Sequence, residues 1–155
     1  MKKIDMILKI NRDTSYLSES KARSRPGGYF YMGGETDNND INGASLINST
    51  IMKNAMYSAQ EFESGALYDN TKFFVVICNI LEEIKLHQPA TPLLTENSME
   101  EGIINKTIRK KFSRSMDMRF YWVQDREQKY QLHVICKLGT QNLGNYFTKT
   151  LPALK

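Results

Sequence analysis

One long helical pattern, lying between strand-like segments, most constrains the fold of this chain. Ser58 followed by Glu61 has the form of a capping box, which starts a helix by satisfying its first free backbone donors. Apolar residues then recur at helical spacing, at Phe62, Ala66, Phe73, Ile77, Leu81 and Ile84. This pattern predicts the longest helix of the chain.

The segments before this helix predict three short strands. They are "DMILKINR" at residues 5–12, "GGYFYMGG" at 27–34, and the stretch around "ASLINSTIMK". The basic segment "SESKARSRPGG" predicts a loop between the first two, and "GETDNNDING", rich in Asn, Asp and Gly, predicts a turn before the third. Tight links between successive strands favour an antiparallel meander.

After the long helix, the chain returns to a short strand at Leu93 to Thr95. Asn97 with Glu100 has the form of a second capping box and opens a helix through Ile103 and Ile104. The segment "SRSMDMRFYWVQDREQK" predicts a helix, "QLHVICKL" a fifth strand and "QNLGNYFTK" a last short helix. A meander followed by a helical crossover and a strand predicts an α/β fold with a five-stranded mixed sheet and helices on both faces. We expect one domain over residues 1–155, since this length suits a single core.

Composition excludes several classes of protein. No run of about 18 apolar residues exists to span a bilayer, and Asp5 and Lys9 interrupt the N-terminal stretch that begins like a signal peptide. Neither a zinc motif nor a paired disulfide spacing can be made from Cys78, Cys136, His87 and His133. The two thiols are predicted to be small apolar fillers in a reduced intracellular compartment, with cytoplasm and nucleus both open.

The net charge of +4 and a pI near 9.0 permit a polyanionic partner without requiring one. Basic residues form two clusters. One consists of Lys21, Arg23 and Arg25, and the other of Lys106, Arg109, Lys110, Lys111 and Arg114. A solvated charged face is the ordinary interpretation of such clusters, and contact with the phosphates of a nucleic acid is the alternative.

Five ordered blocks of sequence carry a more specific signal. They are "DTSYLSESKARSRPGGYFYMGG", "SAQEFESGALYDN", "PATPLLTENSMEEGIINKT", "RSMDMRFYWVQDRE" and "LGTQNLGNYFTKTLP". Together they resemble the ribonuclease H domain of copia-type LTR retrotransposon polyproteins, over about residues 5–152. Such domains normally follow a reverse transcriptase, so a reverse transcriptase domain outside this chain is an expected partner.

The resemblance implies cleavage of the RNA strand of an RNA/DNA hybrid by two divalent ions, Mg²⁺ or Mn²⁺. The family pattern of catalytic acids is Asp, Glu, Asp, Asp. It falls on Asp13, Glu63, Glu96 and Asn145, of which Asp13, Glu63 and Glu96 are the expected metal ligands.

Two of these four positions depart from the family pattern. Glu96 is one methylene longer than aspartate, and Asn145 keeps the shape of aspartate but loses its charge. We therefore expect a degenerate site that holds fewer ions and has weak or no activity. Without the resemblance, Asp13 is a turn residue and Glu96 a solvent-facing acid at a helix N-terminus. A non-catalytic nucleic-acid-binding module and an inactive remnant remain open as alternatives.

Overall fold

The computed structural model describes residues 6–21, 23–34, 43–53, 58–106 and 117–149. Within these ranges the strands are β1 (Ile7–Glu19), β2 (Arg23–Gly33), β3 (Ala44–Ser49), β4 (Thr91–Thr95) and β5 (Leu132–Cys136). The α-helices are α1 (Ala59–Glu83), α2 (Ser98–Ile104) and α3 (Asp117–Gln128). Two short 3-10 helices follow, Gly139–Gln141 and the terminal 3-10 helix Leu143–Phe147. None of the described helices is long and apolar enough to cross a membrane.

The five strands form one mixed sheet in the order β3-β2-β1-β4-β5. The first three pair antiparallel as a meander, whereas β4 lies parallel to both β1 and β5. Helix α1 makes the crossover from β3 to β4, as a parallel pairing with β1 requires. The predicted α/β fold with a five-stranded mixed sheet is therefore confirmed.

The hairpin of β1 and β2 is longer than the sequence predicted. Strand β1 continues to Glu19 and β2 begins at Arg23, so the predicted basic loop is strand and only a tight turn separates the two. Asp13 consequently lies inside β1, paired with Gly27, and not at the tip of a strand. Pairing with β2 outweighs the local turn tendency of this polar stretch, and Pro26 is tolerated because β3 pairs with β2 only from Gly27 onward.

Alternation along β1 gives the two faces of the sheet different surroundings. Leu8 and Ile10 are fully buried and face the α-helices, in one core with the apolar sides of α1, α2 and α3. Arg12 continues this same face, while Asp13 lies on the opposite face. The strand thus presents a buried cation to the helical side and an acid to the other side.

The helix starts confirm the predicted caps but correct one detail. Ser58 accepts from the backbone of Glu61, and Asn97 accepts from the backbone of Glu100. The side chain of Glu100, however, is buried and pairs with Arg12 instead of completing a capping box. The backbone N–H of Asn97, which the glutamate of a capping box would bind, donates to the Thr95 hydroxyl at 3.2 Å instead.

The predicted role of Cys78 as an apolar filler agrees with the packing, and two aromatic residues of α3 pack in the same core. Phe120 is buried and Trp122 packs against the core, while Tyr121 is exposed. Cys78 also packs against the core, and burial raises the pKa of its thiol to about 11.

The terminal 3-10 helix packs onto β1 and takes the place of the predicted last helix. At Gly144, an added Cβ would lie 2.7 Å from the backbone of both Arg12 and Asp13, so only glycine permits this approach. The side chain of Asn142 donates to the Arg12 carbonyl at 2.6 Å and accepts from the Gly144 amide at 3.0 Å. These contacts hold the terminal helix beside Asp13.

Candidate active site

Three of the four family-pattern residues meet at one corner of the sheet. Asp13 comes from β1, Glu96 directly follows β4, and Asn145 belongs to the terminal 3-10 helix. Because β1 and β4 are parallel neighbours, with Asn11 opposite Leu94, the residues that follow these positions lie side by side. The fourth, Glu63, comes from the second turn of α1 on the helical side of β1.

Asp13 is held by the end of the described chain. Its carboxylate accepts from the Thr148 hydroxyl, and the Lys149 ammonium lies 3.7 Å from its Oδ2 atom. The side chain is only 8% exposed, so little of this carboxylate faces solvent. Neither Thr148 nor Lys149 was singled out from the sequence.

Glu96 contacts two side-chain amides, although its side chain is 31% exposed. Its Oε1 atom accepts from the side chains of Asn145 and Asn142, the latter at 3.2 Å, and its Oε2 atom lies 4.0 Å from the Lys149 ammonium. The Gly139 backbone lies against the same carboxylate, since a Cβ there would come within 2.7 Å of Oε2. The longer glutamate side chain therefore fills the corner with protein contacts.

Asn145 uses both ends of its amide. Its nitrogen donates to Glu96 and to the Gly139 carbonyl at 2.8 Å, while its oxygen accepts from Lys149. An aspartate at this position could not donate to Glu96 and would instead repel it. Glu96 and Asn145 thus form a complementary pair, which explains how both departures from the acid pattern fit together.

Glu63 lies on the other side of β1. Arg12 donates to its Oε2 atom at 3.0 Å and to its backbone carbonyl at 3.2 Å, and Thr14 donates to its second carboxylate oxygen. Arg12 and Thr14 alternate with Asp13 along the strand, so the donors that hold Glu63 point away from the donors that hold Asp13. Glu63 was expected to be a metal ligand, and here both of its carboxylate oxygens accept hydrogen bonds from protein side chains.

Arg12 is the most buried charge of the site. It is 1% exposed and pairs with Glu100 as well as Glu63, and Thr95 bonds to both Arg12 and Glu100. Burial raises the pKa of Glu100 to about 7, although the nearby guanidinium opposes the shift. The Oε1 atom of Glu100 and the Nε atom of Arg12 are buried without a hydrogen-bond partner among the described residues.

Arg12 and Glu100 were both missed as site residues. The one available signal was alternation, which puts residue 12 on the same face as Leu8 and Ile10.

The carboxylates, as placed, do not fit a divalent metal centre. Within the described ranges, no three acidic, histidine or cysteine side chains come together in a way that could hold a metal ion. Hard cations such as Mg²⁺ need several oxygen ligands at once. Here the oxygens of Asp13, Glu63 and Glu96 face hydroxyl, amide, guanidinium and ammonium groups of the protein.

The basic residues predicted to contact nucleic acid are spread along the chain. Lys21 and Arg23 are exposed at the turn of the β1–β2 hairpin, and Lys106 is exposed just after α2. Arg25 is partly engaged, since it pairs with Glu19 at 2.7 Å and bonds to Ser49. The remaining predicted contacts, Arg109, Lys110, Lys111 and Arg114, lie outside the described residues.

Solved ribonuclease H structures share this arrangement of strands and helices. The N-terminal RNase H domain of a Mycobacterium tuberculosis protein, solved as a fusion with maltose binding protein, has a TM-score of 0.63 at 9% identity, covering 92% of this chain and 91% of that one. LC11-RNase H1 in complex with RNA/DNA hybrid has a TM-score of 0.65 at 10% identity, covering 91% and 93%. LC11-RNase H1, isolated from compost by a metagenomic approach, has in a second structure a TM-score of 0.64 at 10% identity, covering 92% of each chain.

The chain has a ribonuclease H-like fold. No protein-family model matches it, and no curated protein does either. The fold likeness at 9–10% identity leaves the copia resemblance resting on the five sequence blocks alone.

Proposed function

We propose that this chain is the ribonuclease H-like domain of a copia-type retrotransposon with an impaired active site. By descent it is a divalent-metal-dependent endonuclease that cuts the RNA strand of RNA/DNA hybrids, working inside the cell beside a reverse transcriptase domain outside this chain. Two independent lines support the descent. The five sequence blocks point to the copia domain, and the fold is shared with ribonucleases H, one of them in complex with an RNA/DNA hybrid.

The observation that supports an impaired active site is the contact between the side chains of Glu96 and Asn145. In the family pattern both positions are aspartates, whose oxygens are free for a cation. Here one oxygen of Glu96 accepts from Asn145 and Asn142, and the amide oxygen of Asn145 accepts from Lys149. A neutral amide also supplies less charge to a cation than a carboxylate does. Two of the four positions are thus turned from cation ligands into partners of each other.

Cleavage of a labelled RNA/DNA hybrid tests this proposal. The purified chain is incubated with hybrid and Mg²⁺ or Mn²⁺, and the RNA products are resolved by size. We expect wild-type cleavage at or near background. The double variant Glu96→Asp with Asn145→Asp should cleave at least about a hundredfold faster, which is the usual scale for correcting an error of about 1 Å in a site.

Two controls make the result decisive. Adding Asp13→Asn to the double variant should abolish the recovered cleavage, which excludes a contaminating nuclease. Circular dichroism confirms that each variant folds. Lys149→Met is added to the double variant if the two aspartates alone do not recover cleavage, because the Lys149 ammonium still lies at this corner. A folded triple variant that binds hybrid yet leaves the RNA intact would refute the catalytic descent, and full wild-type cleavage that Asp13→Asn abolishes would refute the impairment.

A second candidate function is hybrid binding without cleavage. The observation that favours it is the exposure of Lys21 and Arg23 at the turn of the same hairpin that carries Asp13. Phosphate contacts from such residues are blind to base sequence and weaken with salt. We expect Lys21→Ala with Arg23→Ala to lower hybrid affinity for every sequence alike and to flatten its salt dependence.

The matched control for this binding test is Lys85→Ala. Lys85 is equally exposed but follows the C-terminal end of α1, the far end of a helix about 37 Å long that carries Glu63 near its start. Its replacement should leave affinity and salt dependence unchanged. Equal losses of hybrid affinity in the test variant and the control would mean that binding depends on overall charge and not on this hairpin. No loss of affinity in either would rule out this second function.

A further inference from the structure

A lysine lies where the acids of β1 and β4 converge. The Lys149 ammonium is 3.7 Å from Asp13 Oδ2 and 4.0 Å from Glu96 Oε2, and it donates to the side-chain oxygen of Asn145. It therefore contacts, or lies within ion-pair distance of, all three family-pattern residues that meet at this corner. A cation that interacts with two carboxylates and an amide oxygen at once has the surroundings expected of a bound metal ion.

An arginine does the same on the helical side of β1. The Arg12 guanidinium is 1% exposed and lies 3.0 Å from Oε2 of Glu63, the remaining acid of the family pattern. Arg12 also pairs with Glu100. Asn142, which bonds to both the Arg12 carbonyl and Glu96, links the two halves of the site. Three family-pattern carboxylates are thus opposed by two cations that belong to the protein.

We propose that Lys149 and Arg12 are built-in cations that occupy the cation positions of this site and offset part of the charge of its carboxylates without a divalent ion. This inference rests on the proposed function, because the acid positions are taken from it. The presence of these two cations then explains physically why the carboxylates of this site do not fit a divalent metal ion. A divalent ion would have to approach an ammonium of like charge and displace the hydroxyl and amide donors that already bind Asp13 and Glu96.

Titration with Mn²⁺ in the absence of nucleic acid tests the inference, with the electron paramagnetic resonance signal of free Mn²⁺ as the readout. The wild-type chain should show no saturable site up to about 1 mM, the weak end of protein sites for hard cations. Lys149→Met, at a side chain that is 55% exposed and so replaceable without unfolding, should bind Mn²⁺ at least about tenfold more tightly. Lys129→Met removes a lysine that is 57% exposed and paired with Asp125, and it should change nothing.

A second set of variants tests the arginine half. Arg12→Met with Glu100→Gln removes the buried charge pair while keeping both volumes, and in the Lys149→Met background it should tighten Mn²⁺ binding further. Asp13→Asn should cancel the gain in either background. If the buried pair variant does not fold, the result for Lys149→Met decides alone.

Two results would overturn the inference: wild-type chain that binds Mn²⁺ well below 1 mM through Asp13, or a folded Lys149→Met variant that binds it no better than wild type. Either failure can be told apart from failure of the proposed function. Metal binding is measured without hybrid, whereas descent from a hybrid nuclease is measured by cleavage and hybrid affinity. A chain that behaves as expected with Mn²⁺ but never touches hybrid would keep the inference about the cations and lose the proposed substrate.

Discussion

Replacing Arg12 tests the most buried charged side chain among the residues that the structure describes. In Arg12→Met the guanidinium is lost while its volume is kept, and Glu100, whose side chain is 5% exposed, is left in the interior without its cation. Removing one partner of a buried ion pair typically costs about 3–5 kcal/mol. Among the described residues, Glu100 Oε1 has no hydrogen-bond partner and Oε2 would keep only the Thr95 hydroxyl, so little else can compensate. We expect the free energy of unfolding to fall by about 3 kcal/mol or more, a large share of the 5–15 kcal/mol of an ordinary domain.

A double-mutant cycle isolates the pair. Glu100→Gln in the Arg12→Met background removes the stranded carboxylate, so the double variant should be more stable than Arg12→Met alone, with a coupling energy of about 2 kcal/mol. Glu63 is a matched control, because it contacts the same guanidinium but its side chain is 26% exposed. Glu63→Gln should therefore cost about 1 kcal/mol or less.

Urea unfolding followed by circular dichroism measures each member of this cycle. A free energy of unfolding for Arg12→Met within about 0.5 kcal/mol of wild type, the usual scale of a surface substitution, would contradict a stabilising buried pair. Simple addition of the Arg12 and Glu100 effects would contradict it too, since contacting partners in one network must couple.

Three further predictions concern the same region. Burial raises the pKa of Glu100 to about 7 from 4.5, so protonation of this carboxyl stabilises the folded state. This contribution to the free energy of unfolding is roughly 3 kcal/mol; it is present in full below pH 4.5 and is lost as the pH rises through 7. Urea midpoints at pH 5 and pH 8 should therefore differ less in Glu100→Gln than in wild type. Gly144→Ala should cost about 2 kcal/mol or more in urea unfolding because its Cβ meets β1 backbone at 2.7 Å, whereas Gly43→Ala, with nothing within 4 Å, should cost little; equal effects would mean that the close approach is wrong. Asn145→Asp alone should lower the melting temperature, since it loses a donor to Glu96 and sets two carboxylates together, and adding Glu96→Gln should restore it; an unchanged melting temperature in the single variant would argue against this contact.

The elements of the fold could be predicted where a short stretch of sequence decides them. Ser58 starts α1 because its side chain satisfies a backbone donor three residues away, and the helical repeat after it needs no distant information. The predicted first strand ends at residue 12, short of the observed end of β1 at Glu19, because Asp13 and the polar residues after it resemble a turn. Only the partner strand, which places Gly27 opposite Asp13, shows that the chain stays extended.

The chemistry of the site depends on contacts between residues that are far apart in sequence. Arg12 and Glu100 are 88 residues apart, and Thr148 lies 135 residues from Asp13. Glu100 was assigned to a capping box because Asn97 stands three residues before it, and its stronger partner could not be seen from spacing. The positions Glu63, Glu96 and Asn145 came from the resemblance, and their catalytic role remains a prediction.

Diffraction from a crystal soaked in Mn²⁺, with anomalous scattering to locate the metal, tests the state of this site most directly. A site that is occupied by its own cations should show no manganese peak beside Asp13, with the Lys149 ammonium still between Asp13 and Glu96. Two peaks about 4 Å apart, held jointly by Asp13, Glu63 and Glu96, would contradict both the impairment and the built-in cations.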